Sequence, residues 1–154
     1  MMLDAIPKVE LHCHLDGIID PEMARDIQAK DPNFPIGEQD FEGLYPVQDF
    51  DGFIRWWRVV ESVAGRLEAI YPILQRYIER LKQDRVVYVE IMISGSEVPE
   101  DPVEAVERVG AFRAAAQCQA GEDLQIEFLV AFGRGKSPEK VEEIARRIFA
   151  LYKA

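Results

Sequence analysis

Two histidines, His12 and His14, are the residues of this sequence whose type and spacing most clearly suggest chemistry. They are the only histidines in the chain, and they lie in the run from Lys8 to Leu15, where alternating apolar and polar residues predict a β-strand. Residues two apart share one face of a strand, so both imidazoles should point the same way. Zinc binds histidine nitrogen at about 2.0–2.1 Å, so the pair could hold one ion. Two strand histidines held by ordinary hydrogen bonds would have the same spacing, and on spacing alone both interpretations stay open.

The same alternation predicts which neighbouring residues face the histidines. The apolar face is expected to contain Val9, Leu11, Cys13 and Leu15. The polar face is expected to contain Glu10, His12, His14 and Asp16. Cys13 is therefore predicted to lie in the core and not to bind a metal. Asp16 is placed to join the histidines, although Asp-Gly is also a strong turn dipeptide.

Two further groups of residues suggest ligand binding. The segment Gly133–Lys136 precedes a helix, as phosphate-binding loops do, but it lacks the full spacing of that motif. Phe50, Phe53 and Trp57 lie near helical spacing and form either ordinary helix core or the wall of a pocket. No Ser-His-Asp arrangement is predicted, because both histidines already lie together on one strand.

Strands and helices are predicted to alternate along the chain. The strands are Lys8–Leu15, Val86–Ser94 and Leu124–Gly133. The first helix is predicted from Pro21 to about Lys30, and the second begins near Asp49 or Asp51. The third covers Arg66–Gln83 and contains Pro72. The fourth runs from Pro102 to near Gly121, and the last begins at Ser137. Prolines and glycines predict an irregular segment over residues 31–48.

This order predicts an α/β fold in which helices join parallel strands. A doubly wound open sheet and part of a (β/α)8 barrel both fit. An open sheet usually has about five strands, and a whole barrel needs roughly 200–250 residues. We therefore expect a partial (β/α)8 TIM barrel, comprising its first three βα units, in an unfinished chain.

Charge and cysteine content limit the expected partners. The chain has 18 Lys and Arg against 28 Asp and Glu, a net charge of −10. This balance disfavours nucleic acid and anionic membranes, which recruit cationic side chains, and no apolar run of about 18 residues predicts a membrane span. Cys13 and Cys118 form no disulfide framework, and free thiols in a cytoplasmic protein are expected.

The segment Pro7–Gly17 reads PKVELHCHLDG and closely resembles the opening strand of the adenosine deaminase family, P-K-V-E-L-H-x-H-L-D-G. Pro21-Glu22 follows at the family's usual place, and Arg85–Glu90 resembles the family's second strand, G-V-x-Y-x-E. The resemblance extends along the chain but covers only the first part of the family's length. It implies that residues 1–154 are the N-terminal part of one barrel domain, with a helical insertion at about 31–84.

The resemblance implies a metal-dependent aminohydrolase that converts adenosine and water to inosine and ammonia. His12 and His14 would be two ligands of one Zn²⁺ ion, whose bound water becomes available as hydroxide near neutral pH. Asp16 would hydrogen-bond the ribose; adenine deaminases usually have Glu there, so Asp favours a purine nucleoside over the free base. The helical lid over the purine would contain Phe50, Phe53 and Trp57.

In the family, later strands supply a third histidine ligand, a Glu acid, another histidine and an Asp ligand. None of those strands is expected here, so this chain alone is predicted to be inactive, to bind metal weakly and to self-associate. The family also commonly has Val-Arg-x-Ser-Pro where this sequence has Ile91–Ser96, and Met92 in place of Arg changes the charge of that barrel layer. The alternatives are a non-catalytic oligomerisation or binding module and a deaminase of another aminopurine compound.

Overall fold

A computed structural model of the chain describes residues 5–30, 46–64, 67–95, 98–133 and 135–153. The chain forms two compact units. The first contains the described residues up to His14 and from Leu74 onward, and the second contains those from Leu15 to Ile73. Most of the predicted irregular segment, 31–48, lies outside the described residues. No helix within the described ranges is long and apolar enough to cross a membrane.

Strands and helices alternate as predicted. In chain order they are β1 (Lys8–His14), a 3-10 turn (Asp16–Ile18), α1 (Pro21–Lys30), α2 (Phe50–Ala64), α3 (Leu67–Gln83), β2 (Val86–Ser94), α4 (Pro102–Ala120), β3 (Gln125–Ala131) and α5 (Pro138–Lys153). The third strand is shorter at both ends than the prediction of Leu124–Gly133. Pro72 lies inside α3, whose first residue is Leu67.

A parallel sheet in the order β1-β2-β3 is the centre of the first unit. One face of the sheet is buried, with Val89, Ile91 and Ile93 of β2 and Ile126 of β3 fully inaccessible. The opposite face is partly exposed, and Leu129 there is 38% accessible. Parallel strands joined by helices, with one face buried, form the α/β arrangement that the sequence predicted.

Helix α4 begins and ends at the residues that the sequence indicated. The Asp101 carboxylate accepts hydrogen bonds of 2.9 Å from the backbone N–H groups of Val103 and Glu104, and Pro102 occupies the first helical turn. Gly121 ends the helix with φ of +69°, a conformation that glycine adopts without steric cost. These caps fix the crossover that brings β3 back beside β2.

In the second unit, aspartates cap α1 and α2. The carboxylate of Asp20 accepts the Met23 N–H at 2.8 Å, and that of Asp49 accepts the Gly52 N–H at 2.7 Å. Of the two aspartates that the sequence offered for α2, the cap is therefore Asp49. The buried side chains of this unit include Ile18, Met23, Trp56, Val60 and Ile70.

The predicted alternation of β1 is wrong, because the strand contains a bulge. Between the pairs Glu10–Val89 and Cys13–Ile91, β1 advances three residues while β2 advances two. The extra residue shifts every later side chain by one position relative to the sheet. Glu10 and Cys13 therefore share the buried face, whereas Val9, predicted to be core, is 62% accessible.

Leu11 was also predicted to be core, and it is 60% accessible. It lies within the bulge, where the register pairs skip from Glu10 to Cys13. The prediction that Cys13 and His14 lie on opposite faces is confirmed, since their register partners Ile91 and Met92 are consecutive residues of β2.

Arg85, between α3 and β2, has φ of +58°, a conformation unfavourable for residues with a Cβ. Arg85 occupies the position where the family that this sequence resembles has glycine. Arg85→Gly should therefore raise the free energy of unfolding by about 0.5–1 kcal/mol, after allowance for glycine's greater unfolded-state entropy. Urea denaturation would measure the gain. Arg85→Ala is the matched control and should give none, because alanine keeps the Cβ; an equal gain from alanine would contradict the backbone explanation.

Candidate active site

The two histidines of β1 come together as the sequence predicted, but by a different backbone route. Their ring centroids are 5.2 Å apart, with ring planes inclined at 59°. His12 lies in the bulge with φ of +66°. Histidine is among the few non-glycine residues enriched in this left-handed region. The bulge turns the His12 ring toward His14. The two rings therefore meet although β1 does not keep the regular alternation of a strand.

The spacing of the two rings fits a shared metal ion. Because a zinc-bound imidazole nitrogen lies about 2 Å from the ion, two rings that share a tetrahedral zinc have centroids roughly 5 Å apart. Within the described part of the chain, no group of three or more His, Cys, Asp or Glu side chains could hold an ion. Two imidazoles at this separation could supply two of the four ligands of a tetrahedral ion.

Cys13 lies between the two histidines in the sequence but faces helix α3. Its sulfur is 3.3 Å from the hydroxyl oxygen of Tyr77 and 3.8 Å from the carbonyl oxygen of His14. Tyr77 is buried, at 4% accessibility, and its hydroxyl also interacts with Glu10. Burial above all, and then the contacts with Cys13 and Glu10, raise the pKa of Tyr77 far above its ordinary value. The prediction that Cys13 is a core residue is thus consistent with its contacts.

Beside the histidines, the half-exposed face of the sheet carries both acidic and apolar side chains. Met92 is the register partner of both His14 and Leu129, so no arginine stands beside His14 at that level of the sheet. Glu90 and Glu127 are also register partners. The Tyr88 hydroxyl donates a 3.0 Å hydrogen bond to Glu90, which raises the pKa of Tyr88.

Asp16 and the three aromatic residues lie in the second unit. Asp16 is half-buried and opens the 3-10 turn directly after β1, so it is a turn residue as well as a candidate ribose ligand. Phe50, Phe53 and Trp57 follow one another along α2, with centroid distances of 6.2 Å and 6.1 Å. Phe50 is 73% and Phe53 41% accessible, so this aromatic row is not ordinary helix core.

The structure does not favour a phosphate loop after β3. Ser137 caps α5, with the Lys140 N–H 3.4 Å from its hydroxyl oxygen. The same hydroxyl interacts with the Glu139 carboxylate and lowers the pKa of Glu139. A carboxylate at this helix start repels a second anion. Arg134, which the sequence suggested for this loop, lies outside the described residues.

Tyr77 lies in an apolar stripe of α3 with Leu74, Ile78 and Leu81, and the sequence analysis did not predict its contact with the back of the site. A tyrosine in such a stripe suggests that its hydroxyl finds a partner when buried. The partner could not be read from the sequence, because the bulge that turns Glu10 toward Tyr77 leaves no pattern there.

Comparison with known proteins now identifies the family. Residues 7–153 match the sequence profile of the family described as Adenosine deaminase. The chain belongs to the adenosine deaminase family.

The chain is 30% identical to aminodeoxyfutalosine deaminase of Acidothermus cellulolyticus over 94% of this chain and 41% of that protein. Adenine deaminase of Sinorhizobium medicae is 30% identical over 91% and 43%, and N6-methyl-AMP deaminase of Danio rerio is 28% identical over 87% and 39%. The chain thus spans less than half the length of these curated relatives.

Solved structures show the same fold. Arabidopsis ADAL complexed with GMP matches with a TM-score of 0.70 at 17% identity, covering 98% of this chain and 48% of that one. An amidohydrolase from Burkholderia ambifaria with bound Zn matches with a TM-score of 0.65 at 20% identity, covering 96% and 42%. The prediction of a partial (β/α)8 barrel is confirmed.

The unmodified chain should bind zinc with a dissociation constant on the order of micromolar or weaker, because zinc sites usually have three or four protein ligands. His12→Ala and His14→Ala should each abolish this binding, whereas Cys118→Ala, which removes an exposed thiol on α4, should not change it. Competition with a chromogenic chelator would measure all four affinities. Nanomolar binding would contradict the two-ligand site and would require a further ligand, from Asp16 or from a second chain.

Proposed function

We propose that the whole protein is a zinc-dependent hydrolytic deaminase of an aminopurine compound, with conversion of adenosine to inosine as its first candidate reaction. The observation that carries the proposal is the pair of imidazoles 5.2 Å apart on β1, within the segment that matches the deaminase family. The zinc-bound structural relative supports the identity of the metal. Because this chain spans less than half of its relatives' length, the activity is proposed for the whole protein.

The residues of this chain would supply part of the machinery. His12 and His14 would each hold the ion through one ring nitrogen. Bound zinc would supply a water molecule of lowered pKa, available as a nucleophile near neutral pH. The Asp16 carboxylate would accept hydrogen bonds from ribose hydroxyls. The exposed rings of Phe50 and Phe53 would cover the purine and exclude water from it.

The choice of substrate within the class is the finer part of the proposal. The relatives are named as deaminases of adenine, aminodeoxyfutalosine and N6-methyl-AMP, so deamination is what their names have in common. Asp16, where adenine deaminases usually have Glu, favours a nucleoside over the free base. The Ser137–Glu139 contact at the start of α5 gives no support there for binding a nucleotide phosphate.

The whole protein, from the complete reading frame, should release ammonia from adenosine faster than from adenine, and His14→Ala should reduce the rate to that of a zinc blank. The 154-residue chain alone should not exceed the blank, because positioned acid and base groups typically contribute about 10²–10⁴-fold and the family takes them from later strands. A panel that adds N6-methyl-AMP and aminodeoxyfutalosine would identify the substrate. Inosine formation by the purified chain alone, lost in His12→Ala, would contradict the assignment of the missing groups.

Self-association is a second candidate role, and the open sheet edges favour it. Within the described residues, β1 and β3 each pair with only one neighbouring strand. Val9 and Leu11 on β1 are exposed apolar side chains, and unpaired strand edges are ready templates for pairing with another chain.

The chain should therefore form dimers or larger species, and light scattering would detect them against the 17.6 kDa of a monomer. Val9→Lys, which places a charge beside the open edge, should shift the population toward monomer. Val103→Lys is the matched control, since Val103 is 65% accessible but lies on α4. A monodisperse, cooperatively unfolding monomer of the unmodified chain would contradict the proposal.

A further inference from the structure

The Tyr77 hydroxyl lies behind the histidine pair and touches both residues that flank the β1 bulge. Its oxygen is 3.3 Å from the Cys13 sulfur, on one side of the bulge. It also interacts with the Glu10 side chain, on the other side. The phenol thus spans the three-residue step that carries His12.

The Tyr77 phenol and the Glu10 carboxylate have complementary hydrogen-bonding capacities. A carboxylate can only accept, so the Tyr77 hydroxyl donates its proton to Glu10. In the 3.3 Å contact between the phenol oxygen and the Cys13 sulfur, either group can donate. Cys13 lies on the face of the sheet opposite to that of His14.

The bulge needs such an anchor because the sheet does not supply one. The register of β1 with β2 pairs Glu10 with Val89 and Cys13 with Ile91, and it includes neither Leu11 nor His12. His12 moreover has a left-handed backbone, which is less favourable for a residue with a Cβ than an extended strand. A contact that holds Glu10 and Cys13, the residues on either side of the bulge, would limit the movement of the bulge.

We propose that Tyr77 is a positioning residue for the metal site, holding Glu10 and Cys13 together so that the bulge presents His12 and His14 at a separation suited to one ion. This inference rests on the proposed zinc-binding function. Tyr77 touches neither ligand ring in this account and acts through the backbone of β1. Its effect should therefore appear in metal affinity and ligand geometry.

The test is a zinc titration of folded protein, with Co²⁺ absorption as a second readout of ligand geometry. Tyr77→Phe removes the hydroxyl but keeps the buried ring, which also lies beneath the Arg80 guanidinium at 5.5 Å. Zinc affinity should fall about tenfold, the lower end of the range for residues that orient metal ligands. Glu10→Gln keeps an acceptor and should stay within about twofold of the unmodified protein. Tyr152→Phe, at an 87% accessible position on α5, should change nothing.

Cys13→Ala removes the other partner and tests the inference even if Tyr77→Phe fails to fold. It should weaken zinc binding alone, but not further when added to Tyr77→Phe, because both changes break the same contact. Additive losses of zinc affinity in the double variant would overturn the inference. An unchanged zinc affinity in Tyr77→Phe, when the unmodified protein binds zinc, would also overturn it. The proposed deaminase would survive either result. A thiolate-to-cobalt band lost in Cys13→Ala would also overturn it, by making Cys13 a ligand. No zinc binding by the unmodified 154-residue chain at millimolar concentration would overturn this inference, whereas the deaminase proposed for the whole protein is tested separately by ammonia release from adenosine.

Discussion

The extra residue in β1 is the constraint on which the candidate site depends. A regular strand would place the two histidines on one face by alternation, with Glu10 beside them. The bulge instead turns Glu10 toward α3 and gives His12 a left-handed backbone, while the two rings still meet at 5.2 Å. Bulges are frequent next to active sites, where they re-aim a side chain at the expense of regular pairing. The separation of the two imidazoles, the strand register and the packing of α3 are therefore coupled in this one segment.

The parallel topology explains why the site lies at this end of β1. In parallel α/β folds, the carboxyl ends of the strands meet at one edge, and functional groups collect there. His14 is the last residue of β1, and the connection after β2 begins at that same edge. Arg147 of α5, only 5% accessible, donates a 3.1 Å hydrogen bond to the Val98 carbonyl and pairs with Glu143. The buried guanidinium of Arg147 thus holds the connection after β2 in place at this edge.

The bounds of most elements followed from the sequence because their signals are local. An aspartate before a proline, or a glycine after a helix, acts within one turn, as Asp101 and Gly121 do around α4. The faces of β1 could not be predicted, since period two assumes equal steps in both paired strands and a bulge violates that assumption. Gly95, which departs from the family pattern, is explained by packing: a Cβ there would lie 2.5 Å from Ile144 Cγ2. Such tertiary contacts leave no periodicity in the chain.

The central claim is that the bulged strand binds one zinc ion through both histidines. The most direct measurement is a crystal structure with zinc, using anomalous differences on either side of the zinc absorption edge. The account predicts a single peak within about 2 Å of one nitrogen of each ring, with His12 still in the left-handed region. A peak bound by only one of the two rings, or none at the pair at saturating zinc, would contradict it.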